Sequence, residues 1–423
     1  MSRKVLIPVL IAVVAAAVTV GVLASRAQGS ATLPAVTPSQ LLSDMATKAP
    51  DTTSISGDVA WTNDLIGDTS ALNFGGATTP TGIASLLQGG KGRIWLQDGK
   101  VRLESQGQGG DLVVTAANGS VWAYSSAANT ATQYVLPAGA GGTMSPTSAP
   151  SAATLDPTAR IEQELQELAP TATMAVSGQE DVAGRQAYIL TMTPTAANTT
   201  LGSVEVAIDG TTFVPLRIEV FPKGSTSAAL SGGFTSVSYA SIDGKLFEFT
   251  PPEGTKVVKK TVNVPPGLGA EQTGTAEGTQ SSAGQALKSE HEMKPLTLAQ
   301  AQQKAGFTLA EPQGSTLPFT GAAVMPAENG GSPTVVLQYG KGFGAVMLVE
   351  TQATADQAAG LEKQLAQLTK VQIVQPTMVN GSPGLALSTS LFNVVAWQQG
   401  KLMVAAAGMV PQSDLSAFAG SVQ

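Results

Sequence analysis

Residue types that carry catalytic chemistry are scarce in this chain of 423 residues. Cysteine is absent, which excludes disulfides, thiolate metal ligands and a catalytic thiol. The one histidine, His291, lies in a stretch rich in Gly, Thr, Gln and Ser, so it is interpreted as a solvated linker residue and not as a catalytic base. Glu162, Glu164 and Glu167 follow one another along a predicted short helix, where a solvated face explains them better than acid–base work. We therefore expect a protein that is not an enzyme and uses no cofactor and no metal.

Charge and glycine patterns exclude a second set of functions. The pieces GQGG and GAGG lack the lysine and the helix start of a phosphate-binding loop, so they are predicted to be turns or loops. The net charge of −7 argues against a nucleic-acid partner, which needs clustered basic residues. The basic cluster Lys256, Lys259 and Lys260 is interpreted as a solvated strand end, with a contact to anionic lipid as the alternative.

Apolar side chains in strand-like alternation remain as candidates for binding. The stretch GRIWLQDGKVRLES, residues 92 to 105, alternates apolar and polar residues on both sides of Asp98-Gly99. An Asp-Gly pair favours a type I′ hairpin turn, because both central residues of that turn need positive φ. The apolar side of such a hairpin carries Ile94, Leu96, Val101 and Leu103. That side is either ordinary core or the wall of a cavity.

The N-terminus predicts where the protein works. Arg3 and Lys4 precede an uncharged apolar run, residues 5–24, whose length of about 20 residues matches the hydrocarbon core of a bilayer. We predict an uncleaved anchor with the short basic end in the cytoplasm, and a cleaved signal peptide ending near Ala27-Gln28-Gly29 is the alternative. The remaining chain then lies outside the cytoplasmic membrane, and it is secreted if the segment is cleaved. The abundance of Ala, Gly, Thr and Val suggests a high-GC bacterium such as an actinomycete.

A helix and a series of short strands are predicted for the first half. The helix runs from Pro38 to about Thr47, because Thr37 can cap it and proline is favoured at the first helical position. Alternating strands follow from Ser54 as an antiparallel meander, with a second hairpin turn at Asn118-Gly119.

Further elements continue the same unit. A short helix after Asp156 carries an apolar stripe of Ile161, Leu165 and Leu168, which is either a core contact or the underside of a lid. Two strands flank Ala183-Gly184, three more follow, and LFEFTPPEGTKV closes the unit. Three stretches have loop or linker composition, namely residues 64–90, 138–154 and 261–293.

The second half predicts a smaller α+β unit. Thr297 can cap a short helix that Gly306 ends. Strands with glycine-containing turns follow, and a helix is predicted over residues 354–368 between them. A last helix is predicted after Pro411 with Ser413 as its cap.

The element order of the first half resembles the bacterial outer-membrane lipoprotein carrier (LolA-like) superfamily, which includes MucB/RseB-like proteins and mycobacterial lipid-carrier lipoproteins. The pattern is carried by the Trp-Tyr stretch after Asn118-Gly119, by VAGRQAY, by the DG and PLRIEV hairpin, and by the terminal F.FTPP.G. The match covers residues 35–258, about half the chain. The C-terminal half resembles a small extracytoplasmic domain of unknown function.

The resemblance implies an α+β fold. Its N-terminal domain is a curled antiparallel sheet, an incomplete β-barrel, with helices closing the open side around an apolar cavity. A smaller C-terminal α+β domain and an N-terminal transmembrane helix complete the fold. The predicted domains are 1–29 (anchor or signal segment), 35–258 (LolA-like half-barrel), 259–293 (flexible linker) and 294–423 (small α+β domain).

The resemblance also implies a non-catalytic function. It predicts binding or carriage of lipid or lipoprotein acyl chains, so the partners are lipid or acylated lipoprotein. The apolar run of residues 5–24 adds a tether to the cytoplasmic membrane, which departs from the soluble carriers of the family. A MucB/RseB-like sensor that binds an anti-sigma factor or another envelope protein is the alternative. An interaction module whose apolar face is only core is a third reading. The candidate cavity-wall residues are Ile94, Leu96, Val101, Leu103, Trp122, Tyr124, Val204, Val206, Leu216 and Ile218.

Overall fold

The computed structural model describes residues 33–48, 54–65, 89–107, 110–117, 120–135, 170–261, 296–325, 332–353 and 373–423. Several sequence predictions fall outside these ranges and stay predictions: the apolar segment 5–24, the Asn118-Gly119 turn, the helix after Asp156, the linker, and the helix over 354–368. No helix in the described ranges is both long enough and apolar enough to cross a bilayer.

Period-two alternation in the first half of the described chain produces mainly β-strands. The elements are α1 (Pro38–Thr47), β1 (Ile55–Asn63), β2 (Gly90–Gln97), β3 (Lys100–Gly107), β4 (Gly110–Ala117), β5 (Ser120–Ser125), β6 (Thr130–Val135), β7 (Ala172–Val182), β8 (Arg185–Pro194), β9 (Leu201–Asp209), β10 (Pro215–Pro222), β11 (Leu230–Phe234), the 3-10 helix η1 (Gly244–Phe247) and β12 (Lys256–Thr261). The predicted helix after Thr37 is confirmed.

These strands form one open sheet in the order β12-β6-β5-β4-β3-β2-β1-β11-β10-β9-β8-β7. Hairpins pair most neighbours, whereas β1 pairs with β11 and so joins the early strands to the late ones. Bulges interrupt the register between Val176 and Gly178 and between Pro215 and Arg217, where they bend the strands. The predicted open, largely antiparallel sheet with few helices is confirmed for the described residues.

The end of this unit, the stretch LFEFTPPEGTKV, departs from the predicted antiparallel sheet. Leu246 and Phe247 lie in η1, and β12 starts only at Lys256 and pairs in parallel with β6. The connection leaves β11 and passes β3, where the Leu246 carbonyl accepts a hydrogen bond of 3.0 Å from Arg102 Nη1. Because the chain crosses the sheet and does not turn back in a hairpin, an antiparallel direction is not imposed on β12.

The second half contributes a separate sheet in the order β13-β14-β15-β19-β18-β17-β16. Its elements are α2 (Leu298–Ala305), β13 (Phe319–Met325), β14 (Thr334–Tyr339), the 3-10 helix η2 (Gly342–Gly344), β15 (Val346–Gln352), β16 (Val374–Val379), β17 (Ser382–Ser388), β18 (Asn393–Gln399), β19 (Leu402–Gly408) and α3 (Gln412–Ser421). The core joins Ala301 of α2 and Leu415 of α3 to Leu348 and Trp397 of the sheet.

Local turn and cap chemistry follows the sequence closely. Asp98 and Gly99 both have positive φ, 51° and 71°, as the hairpin prediction requires. Thr37 and Thr297 each form a capping box with a glutamine three residues later. Gly306 ends α2 in the left-handed conformation with a φ of 75°.

The predicted cap at Ser413 is wrong. The helix begins two residues earlier than a Ser413 cap requires, at Gln412, and Pro411 occupies the cap position without a side-chain hydrogen bond. Ser413 is therefore already helical, and its hydroxyl bonds to Asp414 Oδ1 at 3.1 Å. The backbone of Pro411, with φ −52° and ψ 144°, makes the turn into the helix without a polar side chain.

Candidate functional site

Two cross-strand rows of apolar side chains run across one face of β1 to β5. The first row is Ile55, Leu96, Val101, Ala116 and Val121. The second row is Ile94, Leu103, Val114 and Ala123. These nine residues are called the apolar face below.

The apolar face is only partly covered. Ile55, Leu103 and Ala123 are buried, but Ile94, Leu96, Val101, Val114, Ala116 and Val121 are each only partly buried. Covering contiguous aliphatic surface on one side of a sheet with further apolar material lowers the free energy, because that surface is removed from water. Neither row contains a polar side chain, so the face offers burial and no hydrogen bonds. Such a surface suits a hydrocarbon chain, at about 0.8 kcal/mol for each methylene buried.

The structure brings part of the predicted wall together here. Ile94, Leu96, Val101 and Leu103 lie on the apolar face, with Ile94 opposite Leu103 and Leu96 opposite Val101. Leu216 is buried in the same core cluster as Leu103, and half-exposed Ile94 and Leu96 pack against that cluster.

Three other predicted wall residues lie in a different cluster. Val204 and Ile218 are buried, and half-exposed Val206 packs against them. Their cluster includes Met192 from the same sheet and Leu391 from the second half of the chain. The second unit therefore covers this part of the predicted wall.

Trp122 and Tyr124 face away from the apolar face. They pair with Thr115 and Val113, whereas the apolar-face residues of β4 are Val114 and Ala116. Both rings lie against Phe249, with centroid distances of 5.5 Å for Trp122 and 6.0 Å for Tyr124. The sequence interpretation included both rings among the candidate wall residues, but strand alternation places them on the side opposite the apolar face.

Val114 and Val121 were missed as members of the candidate site. Both are half-exposed and continue the two rows beyond the first hairpin. The signal that finds them is the register itself, because residues opposite Leu103 and Ala116 must share the same face.

A buried ion pair lies at the turn between β9 and β10. Arg185 Nε donates to Asp209 Oδ2 at 2.7 Å, and the Tyr239 hydroxyl donates to the same oxygen at 3.0 Å. Burial raises the pKa of Asp209, but hydrogen bonds from Arg185, from the Thr211 and Thr212 backbone and from Tyr239 outweigh it and hold the pKa below its ordinary value. Burial also raises the pKa of Tyr239 to about 12. The carboxylate is fully bonded, so this cluster fixes the fold and is not poised for proton transfer.

We expect Asp209→Asn to destabilise the first sheet by about 2–4 kcal/mol at neutral pH, because it leaves the Arg185 charge without its partner. Asp58→Asn is the matched control, since the Asp58–Arg93 pair is exposed and should contribute below about 0.5 kcal/mol. Urea unfolding of the full chain measures both variants, and equal midpoints for the two would contradict the assignment. Because the pKa of Asp209 is lowered, its contribution should be lost as pH falls into the acid range.

Metal binding has no support in the described part of the chain, which contains no cluster of three or more His, Cys, Asp or Glu side chains able to hold an ion. The buried Arg217 is likewise paired, with Glu180 at 2.7 Å and Glu219 at 3.1 Å.

A second apolar surface lies on the seven-stranded sheet, on the side away from α2 and α3. Register places Val336, Val349, Ala405 and Ala396 in one row across β14, β15, β19 and β18. Met347 of β15 is 49% exposed and Met378 of the edge strand β16 is 64% exposed. This surface is a second candidate binding site for a hydrocarbon chain.

Known structures provide the remaining comparison. No family model and no curated protein matches the chain. Solved structures similar to it include the MucA/MucB complex of Pseudomonas aeruginosa, with a TM-score of 0.42, 14% identity, and coverage of 91% of this chain and 98% of that chain. The superfamily that the sequence resembles is also represented. A LolA superfamily protein from Nitrosomonas europaea has a TM-score of 0.20 and 9% identity, and it covers 51% of this chain and 99% of its own. At these TM-scores the similarities add nothing to the functional inference from the apolar face.

Proposed function

We propose that this chain binds or carries acyl chains of lipids or of acylated lipoproteins on its apolar face, without catalysis. The observation that carries the proposal is the pair of aliphatic rows across β1 to β5, in which six of the nine side chains are only partly buried and none is polar. In the proposed state the sheet curls into a half-barrel, and the ligand's hydrocarbon chain fills its concave side.

The polar chemistry of the same sheet supports a binding role. Its buried ionisable residues Asp209 and Arg217 are held in ion pairs with Arg185 and Glu180. Neither is a free group that faces a substrate, so these pairs stabilise the scaffold beside the apolar face.

The proposed location is the outer side of the cytoplasmic membrane. Residues 5–24 are proposed to act as a single-pass anchor that leaves the bulk of the chain extracytoplasmic, with secretion as the outcome if the segment is cleaved. A tethered protein of this kind samples lipid from one bilayer, so short-range transfer or sensing fits better than long-distance transport.

A regulatory sensor is the second candidate function. The MucB structure similar to this chain is a complex of MucB with MucA. For this chain, an anti-sigma factor or another envelope protein is the proposed alternative partner. A bound lipid would not exclude that role, because a sensor can be regulated by the lipid that it binds.

The test is to measure lipid that co-purifies with the full chain from a bacterial host, by organic extraction and mass spectrometry. We expect Val114→Asn to remove most of the co-purified acyl lipid, because it places an amide in the middle of the second row. Val113→Asn is the matched control, since Val113 lies on the opposite face of the same strand and is also half-exposed. Equal lipid content in the two variants would contradict acyl binding on the apolar face, and a lipid-free parent chain would favour the sensor alternative.

A further inference from the structure

The two sheets are joined by a short hydrogen-bonded contact. Thr199 and Thr200, between β8 and β9, reach the second unit through three bonds. The Met409 carbonyl accepts from Thr199 Oγ1 at 2.9 Å and from the Thr200 amide at 2.8 Å. Thr200 Oγ1 also donates to the Leu391 carbonyl at 2.5 Å. This contact holds the segment between β17 and β18 against the first sheet.

The same contact inserts an apolar side chain into the first sheet's core. Leu391 is 2% exposed and packs in one cluster with Met192, Val204, Ile218 and Val220 of β8 to β10. Met409 and Phe343 pack against that cluster from the second unit. Its neighbour Phe392 points elsewhere and is 39% exposed. Leu391 is therefore an apolar plug supplied by one unit to the other.

The plug lies on the same side of the sheet as the apolar face. Gly232 of β11 is opposite Trp61 of β1 and also opposite Ile218 of β10. Trp61 in turn shares its face with Ile55, because both follow the period-two alternation of β1. Register thus continues the apolar face across β1 and β11 to Ile218, and Gly232 leaves no side chain between Trp61 and Ile218. Three strand spacings, roughly 14 Å, separate β2 from β10, and the row of Ile218 crosses β1 at Trp61, four residues from the row of Ile94. That offset adds roughly 13 Å along the strands, so Ile94 and Ile218 are roughly 19 Å apart across the sheet.

We propose that Leu391 is an internal competitor for the acyl site. This inference rests on the proposed function: a ligand chain long enough to extend from the apolar face to Ile218 displaces Leu391, whereas a short chain does not reach it. Long-chain binding then weakens the contact at Thr199 and Thr200, and that contact in turn reduces the affinity for long chains by the same factor. The contact between the two units is consequently weaker when a long chain occupies the first unit.

Fatty-acid binding to the full chain tests the proposal, with palmitate as the long probe, octanoate as the short one, and displacement of a fluorescent polyene fatty acid as the readout. Leu391→Ala should bind palmitate roughly tenfold tighter than the parent, because the bound conformation no longer has to expel the leucine. Octanoate affinity should stay unchanged, because the short chain does not reach Leu391. This result distinguishes removal of a competing side chain from the creation of a cavity that either probe could fill. Phe392→Ala is the matched control and should match the parent for both probes.

Hydrogen exchange of the unmodified chain gives an independent readout that does not depend on how well a variant folds. Palmitate should speed exchange of the Thr200 amide, which donates to Met409, and octanoate should not. Two results would contradict competition by Leu391 and leave the proposed function standing. One is palmitate binding that leaves exchange of the Thr200 amide unchanged or slower, and the other is a Leu391→Ala variant with the palmitate affinity of the parent. Absence of palmitate binding to every protein would overturn both.

Discussion

At about pH 8, Glu350→Gln will be more stable than the parent chain by about 3 kcal/mol, and at about pH 4 the two proteins will unfold at nearly the same urea concentration. Glu350 is fully buried on β15 between Val335 and Val404. Its Oε2 accepts a hydrogen bond of 2.9 Å from the Ala310 amide, while Oε1 has no partner among the described residues.

The direction of the pH effect follows from the raised pKa. Burial is the main cause that raises the pKa of Glu350 to about 7 from an ordinary 4.5, the Ala310 hydrogen bond opposes it, and the Glu311 charge adds to it. A group that binds its proton more tightly in the folded state stabilises the fold fully below its unfolded pKa. That contribution is lost as pH rises through the folded pKa, at about 1.4 kcal/mol per pKa unit. Glutamine retains a side-chain oxygen that can accept the hydrogen bond from the Ala310 amide, and it removes the charge.

Urea unfolding of both proteins across the pH range, followed by hydrogen exchange of β14 and β15, measures the effect on the second sheet itself. Glu311→Gln is the control. It removes a neighbouring charge and should shift the pH dependence to a smaller extent without abolishing it. Parallel pH profiles for the parent and Glu350→Gln would show that Glu350 does not titrate in the folded protein as described.

Leu41→Ala should cost about 3 kcal/mol of folding free energy, the second large effect expected. Leu41 is fully buried and holds α1 against Tyr188, Leu190 and Ile208 of β8 and β9. The Tyr188 hydroxyl also donates to the Pro34 carbonyl at 2.9 Å, so the same site anchors the entry to the helix. Truncation leaves a cavity that neighbouring strand residues cannot fill without breaking their pairing.

Leu42→Ala is the matched control for this helix. Leu42 is half-buried and packs against the same cluster from its edge, so its truncation should cost about 1 kcal/mol. Chemical unfolding of both variants is the measurement. A Leu42→Ala variant as unstable as Leu41→Ala would mean that α1 packs in another orientation.

Local sequence signals predicted the features that depend on neighbouring residues. The Asp98-Gly99 turn fixed the register of β2 and β3, because only that loop length places Gln97 opposite Lys100. Thr37 with the proline that follows it located the start of α1, and Thr297 located the start of α2. The pairing of Val113 with Tyr124 also followed from the expected hairpin.

Those local signals could not predict the pairing of strands that are remote in sequence. The pairing of β1 with β11 joins strands that are remote in sequence, and no turn between neighbouring residues specifies it. The parallel pairing of β12 depends on a connection that crosses the sheet. Leu391 sits in the core of the other unit, and nothing in its local sequence distinguishes it from Phe392. Trp122 shows a similar limit for a site residue, since the sequence left open which side of each strand forms the wall.

Acyl binding on the apolar face is the central claim, and photocrosslinking tests it most directly. A palmitate analogue with a diazirine on its chain would be irradiated with the full chain, and labelled peptides would be mapped by tandem mass spectrometry. We expect saturable labelling of β2, β3 and β4, centred on Leu96, Val101 and Val114, that unlabelled palmitate competes away. Labelling confined to the seven-stranded sheet around Met347 and Met378, or no saturable labelling, would contradict it.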